Sequence, residues 1–215
     1  MKEDKMAKIF KKCLIIGLGL VFFLAFYPVR LTQYFCDRLF AKNAASYTGF
    51  ADVFAEVFYS AEEALKILLP DTQDIKEETR TLNEDQKKSI AKQAEIQFDP
   101  EFDKEFHFYI GQNNGQIICY VAENTVKGKW GPIHYMLALE PDGKIKDALI
   151  LELKEKRGRP VKEARFLSQF FGKTIDSQIK LNKDIKGISG ATISSRGMSN
   201  GIRKVVYVFN ELYKK

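Results

Sequence analysis

The chain has 215 residues, 45% of them hydrophobic and 29% charged, which is enough apolar material for one core of ordinary size plus an appendage. The net charge of +6 is spread over mixed-sign surface and a basic N-terminal cluster beside an apolar run, an arrangement that suits anionic lipid head groups better than nucleic acid. Cys36 and Cys119 lack CxxC spacing, and His107 and His134 stand far apart without a partner motif, so neither a disulfide framework nor a metal site is indicated.

Residues 1–12 carry Lys2, Lys5, Lys8, Lys11 and Lys12, and the stretch Cys13 to Val29, CLIIGLGLVFFLAFYPV, has no charge. As a helix this run spans about 26 Å, slightly short of a ~30 Å hydrocarbon core, and Ile9 and Phe10 extend it while Lys11 and Lys12 snorkel. A secretory signal has the same basic-then-apolar order, but its apolar part is shorter and ends in a small-residue cleavage site. Here the run leaves through Tyr27, Pro28, Val29 and Arg30, so an uncleaved transmembrane anchor is the preferred reading. The lysines then stay cytoplasmic, and everything after Arg30 lies on the periplasmic or extracellular side of the cell membrane.

Residues 49–69 put Phe50, Phe54, Val57, Phe58, Ala61, Leu65 and Leu68 on one helical face, and Pro70 ends the run. Asn83, with Gln86 three residues on, predicts the capped start of a second helix. The period then changes to two. QNNG and PDG punctuate two hairpins, giving four predicted antiparallel strands at 105–111, 116–123, 132–140 and 144–153. A helix is predicted from about Val161 to Gly172, with Ala164, Phe166, Leu167, Phe170 and Phe171 mostly inward. The fold class is α+β: an antiparallel sheet of about four strands with packed helices, preceded by one N-terminal transmembrane helix.

Near the end the chain becomes bare: GISGATISSRGMSNG, residues 187–201. Met198, Ile202, Val205, Val206, Phe209 and Leu212 then recur at helical steps, so this stretch lies where a loop enters a last helix. First-turn N–H groups lack intrahelical partners, and Ser189, Thr192, Ser194 and Ser195 offer hydroxyls beside Gly190. Such a combination suits an anion, with phosphate the usual guest. Plain N-capping is the alternative, although it needs one hydroxyl where four are present.

SGATISS resembles the flavinylation motif of the FMN-binding domain family, which includes the membrane-anchored FMN subunits of the Rnf complex and of sodium-translocating NADH:quinone reductase. The stretches KGKWGPIHYMLALEPDGKIKDALILELKEKRG, RFLSQFFGK and KDIKGISGATISSRGMSNGIRKVV match that family in order and spacing, covering roughly residues 105–213. The resemblance divides the chain into a cytoplasmic basic tail (1–12), an anchor (13–29), a linker and helical region (30–104) and an FMN-binding domain (105–215). It implies that Thr192 carries FMN covalently as a phosphoester. Ser189, Gly190, Ala191, Ser194 and Ser195 would hold the phosphate oxygens.

Trp130, Gly131, Pro132 and Ile133 resemble the stretch that lies against the flavin, with Trp130 either stacking on the ring or anchoring a core. Glu155 and Gly158 would line the edge of the ring. Where Rnf-type subunits carry Glu-Thr-Pro-Gly, this chain has Glu155-Lys156-Arg157-Gly158, as in the shorter stand-alone branch of the family. His134 reads as a solvent-facing or satisfied histidine.

No nucleophile–base constellation or acid/base carboxylate pair is present, so no catalytic residue is assigned. The implied function is a membrane-anchored electron carrier on the outer side of the bilayer. Its implied partners are a membrane electron-transfer protein and, for maturation, an FAD:protein FMN transferase that uses FAD and Mg²⁺. The alternatives are a reversible FMN-binding sensory module and a structural component whose Gly and Ser stretch only caps a helix.

Overall fold

The computed structural model describes residues 56–154 and 158–214. The basic tail, the anchor run 13–29, Cys36 and Glu155 lie outside them, and no helix among the described residues is long and apolar enough to cross a membrane.

The elements in order are β1 (Glu56–Val57), α1 (Ala61–Leu68), β2 (Asp74–Arg80), α2 (Glu84–Ala94), β3 (Phe106–Asn113), β4 (Gln116–Lys127), β5 (Pro132–Leu139), β6 (Ile145–Leu153), α3 (Ala164–Leu167) and α4 (Thr192–Tyr213), with short 3₁₀ turns at Arg159–Lys162 and Ser168–Phe170. All strands pair antiparallel in one sheet, ordered β1-β6-β5-β4-β3-β2. The α+β class holds, but the sheet has six strands rather than four.

The two additional strands had no period to read. Every residue of β2, DIKEETR, is exposed except the half-buried Glu78, as suits a charged edge strand that discourages further pairing. β1 is two residues long and falls inside the helix expected over 49–69. That helix starts only at Ala61, because Ser60 and Glu63 form a reciprocal cap: the Ser60 hydroxyl accepts from the Glu63 N–H at 3.2 Å, and the Glu63 carboxylate accepts from the Ser60 N–H at 2.8 Å. The expected cap of α2 is present, with Asn83 Oδ1 accepting from Gln86 N–H at 2.8 Å.

The predicted helix from Val161 to Gly172 is broken into a 3₁₀ turn, one turn of α3 and a second 3₁₀ turn. Glu163 has ψ 140°, which takes the chain out of the helical region. Val161, Phe166, Leu167 and Phe170 face inward, whereas Ala164 and Phe171 are exposed.

Side chains alternate across a strand, so each strand feeds two cores. Tyr120, Ala122, Tyr135, Leu137 and Leu139 point toward α4 and meet Met198, Ile202, Val205, Val206 and Phe209. Cys119, Val121, Met136, Ala138 and Leu151 point to the other face, under Ala64 and Leu68 of α1. Two covered faces explain why ICYVA and YMLAL read as nearly continuous apolar runs.

The hairpins at Asn113–Gln116 and Leu139–Ile145 form one end of the sheet. The end of β4, the start of β5 and the end of β6 form the other. The 22-residue α4 runs about 33 Å between these ends, from the bare stretch to Lys214, whose Nζ donates to the Pro141 carbonyl at 3.3 Å.

Candidate functional site

Three loops meet at the second end: the turn 128–131, the chain after β6 and the loop 187–191 before α4. Lys129, Gly158, Gly190, Ala191, Thr192, Ile193 and Ser194 line one cavity of about 180 Å³ there. On the other side of the 187–191 loop a groove of about 780 Å³ is lined by Pro160, Glu163, Arg165, Phe166, Gln169 and residues 186–189.

The loop is held from several directions. The Ile188 N–H donates to Ser195 Oγ at 3.2 Å, and the Ala191 N–H donates to the Ile188 carbonyl at 3.0 Å. Gln169 brackets the loop, accepting from the Lys186 N–H at 2.8 Å and donating to the Lys186 carbonyl at 3.2 Å. Gly190 has φ +77°, a conformation that disfavours L side chains, and nothing lies within 4 Å of where a Cβ would project.

Ala191 occupies the N-cap position of α4, and no side chain bonds the first turn of the helix. The hydroxyls predicted as possible caps do other things. Ser195 is fully buried and ties the loop, Ser194 is 1% exposed at the cavity wall, and Ser189 and Thr192 are exposed. The helix start thus offers donors and the positive end of its dipole to the cavity, with the Lys129 side chain on the facing turn.

The cofactor named by the resemblance can be tested against this geometry. A cavity of about 180 Å³ suits a phosphate group, while the open space above Gly190 leaves room for the remainder of FMN on the side of the turn 128–131. The exposed Thr192 hydroxyl stands at the mouth, so the residues present fit the group.

The turn 128–131 is closed by a hydrogen bond from the Gly128 N–H to the Gly131 carbonyl at 2.8 Å. Trp130 is 53% exposed, so it is no core anchor, and its ring lies 5.4 Å from the Lys129 ammonium. Pro132 is exposed at the start of β5, whereas Ile133 is fully buried and serves the core. Gly131 packs against the Lys154 stem: a Cβ there would lie 2.8 Å from Lys154 Cβ. Gly158 is buried and lines the cavity, and Glu155 lies outside the described residues.

His134 is satisfied, its Nε2 lying 2.8 Å from Glu123 Oε1, while Tyr109 donates to Glu123 Oε2 at 2.9 Å. These bonds hold the Glu123 carboxyl below its ordinary range, with the His134 bond the largest cause and burial opposing it.

Three positions escaped the sequence reading. Lys129 lines the cavity, and its place inside the short Gly128–Gly131 turn was the available signal. Gly197 and Gly201, four residues apart on one helical face, let α4 approach β4. A Cβ on Gly197 would lie 2.6 Å from the Lys127 carbonyl oxygen, and one on Gly201 would lie 2.3 Å from Val126 Cγ1 and 2.9 Å from the Tyr135 hydroxyl. Half of the bareness of residues 187–201 therefore serves close helix–sheet contact. Beneath it, Lys204 and Asp103 form a buried ion pair, 6% and 0% exposed.

Comparison with known proteins gives the following. Residues 128–207 match the model of the FMN-binding domain, so the resemblance read from the motif holds over that segment. One component of a proton-translocating ferredoxin:NAD(+) oxidoreductase complex from Clostridium ljungdahlii is 32% identical over 106 residues, 46% of this chain and 57% of the relative. The corresponding component of the Na(+)-translocating ferredoxin:NAD(+) oxidoreductase complex of Acetobacterium woodii is 27% identical over 116 residues, 49% and 56% of the two chains. The chain thus spans somewhat more than half the length of the curated relatives it matches. Among solved structures, one component of the Na(+)-translocating NADH-quinone reductase from Parabacteroides distasonis superposes with a TM-score of 0.47 at 17% identity, covering 74% of this chain and 86% of that one.

Proposed function

We propose that the chain is an FMN-carrying electron-transfer protein, anchored by residues 13–29, with its cofactor esterified through phosphate to Thr192 on the outer side of the membrane. The observation that carries this reading is the uncapped start of α4: Ala191 stands where a capping side chain would, and the exposed Thr192 hydroxyl opens a cavity of phosphate size inside a segment that matches the FMN-binding domain.

The magnitudes favour a covalent bond. A helix dipole contributes about 0.3–1 kcal/mol to an exposed anion, and at most about 2. Micromolar retention of a free cofactor needs about 8 kcal/mol. Outside the membrane a cofactor that dissociates is lost, so a bond at its phosphate keeps it while leaving the ring unmodified. FMN supplies one- and two-electron chemistry, and this chain supplies attachment and orientation. In maturation the Thr192 hydroxyl would be the acceptor, with an FAD:protein FMN transferase supplying the FMN moiety of FAD, releasing AMP and taking up the hydroxyl proton. Ser189, Gly190, Ala191 and Ser194 would frame the phosphate with Ser195 positioning the loop, and Trp130, Gly131, Pro132 and Gly158 would border the ring. The relatives' names support a place in a membrane complex of the ferredoxin:NAD(+) oxidoreductase type, with a membrane electron-transfer partner.

The test is a denaturing gel of protein co-expressed with a flavin transferase. Fluorescence at the band in wild type, and its loss in Thr192→Ala, is the expected result. Fluorescence that disappears on denaturation of wild type would support reversible binding instead.

A further inference from the structure

We infer that the rim of the cofactor site is a docking surface for an acidic redox protein, a reading that rests on the FMN assignment above. The site is ringed by cations beyond those its phosphate can use. Lys129 lines the cavity, Arg196 follows Thr192 by one turn on the same helical face, and Lys154 packs its stem on Gly131. Arg165 and Lys186 line the groove that begins at Ser189. Among the described residues, Lys154, Arg165, Lys186 and Arg196 have no carboxylate within ion-pair distance, and Glu163 is the one acid lining either space.

A phosphodiester carries one negative charge, which Lys129 and the start of α4 suffice to meet. Of the other four cations Arg165, Lys186 and Arg196 are exposed and Lys154 is half-buried, at the end of the sheet that also carries the apolar Trp130 at 53% and Ile193 at 50% exposure. An aromatic and aliphatic centre inside a charged rim is the anatomy of a protein interface, and unpaired rim charge chiefly raises association rate and selects the partner. Lipid head groups would satisfy the charge equally well, but they hold no redox centre for a flavin to meet, so the placement of the cations favours a protein with carboxylates around its own centre.

The experiment uses the full chain, flavin-loaded and held in neutral detergent, reduced and then mixed in a stopped-flow instrument with oxidised rubredoxin (acidic) or oxidised cytochrome c (basic). Each acceptor takes one electron, so two oxidise a fully reduced flavin and its protons pass to solvent. The Lys154→Glu/Arg196→Glu double variant is expected to slow transfer to rubredoxin roughly tenfold without slowing transfer to cytochrome c, and high salt should erase the difference. Arg165→Glu/Lys186→Glu should do the same from the other side of the loop, which guards against a folding defect in one pair.

Rates that change equally for both acceptors, or for neither, in fully loaded protein would overturn the proposal. So would reconstituted wild type losing rubredoxin access in phosphatidylglycerol but not phosphatidylcholine vesicles, with access restored by the double variant, because the rim would then serve the bilayer. If wild type holds no flavin after co-expression with a transferase, the cofactor reading falls and the docking surface falls with it.

Discussion

Gly190 and Glu123 show how single side chains set local free energies at the site end of the sheet. With φ +77° and open space where a Cβ would project, Gly190→Ala meets no clash and suffers only backbone strain. The expected loss is about 1–2 kcal/mol in urea unfolding, together with reduced flavin loading because the loop over the cavity shifts. Glu123 is held below its ordinary carboxyl value near 4.5 by His134 first and Tyr109 second. A depressed folded-state pKa contributes stability above the unfolded value that is lost as pH falls through the folded one. The thermal stability of wild type should therefore fall as pH drops below about 4.5, and Glu123→Gln should flatten that dependence; an equally steep acid limb in the variant would contradict the assignment.

At the scale of elements, the contact between α4 and β4 governs where the Thr192 hydroxyl stands. Gly197→Ala would push a methyl to 2.6 Å from the Lys127 backbone oxygen, which cannot turn aside. Gly201→Ala would push a methyl to 2.3 Å from Cγ1 of the buried, β-branched Val126 and 2.9 Å from the hydroxyl of the buried Tyr135. Overpacking costs about 1–3 kcal/mol, and the gain in helix propensity returns about 1. Both substitutions should thus destabilise the fold and lower flavin loading, as read by urea unfolding and visible absorbance.

Beneath the same helix, Lys204→Met strands the buried Asp103 carboxylate. A loss of about 3–5 kcal/mol is expected, partly recovered by adding Asp103→Asn. The four central strands were legible from the turns that punctuate them, α2 from its Asn83 and Gln86 capping pair, and the stripe of α4 from its three- and four-residue steps. The edge strands β1 and β2 were not, since one is two residues long and the other carries five charges in seven residues, and only a neighbour in space makes either a strand. The site was half legible. A motif marks Thr192 and its loop, but the burial of Ser195 and the approach of Lys129 depend on how three distant loops fold together.

At the largest scale described, residues 56–154 and 158–214 form one sheet covered on both faces, with the candidate site at one end and the tight hairpins at the other. On the proposed function the cofactor would stay attached at that end and the partner would come to its rim. All of this depends on the Thr192 oxygen carrying FMN. The measurement that tests it most directly is intact mass, followed by peptide mapping, of the full chain matured with an FAD:protein FMN transferase. The prediction is a mass increase equal to FMN less one water, confined to the peptide containing Thr192 and absent in Thr192→Ala. An unmodified polypeptide mass, or the same increase on another residue, would contradict the account.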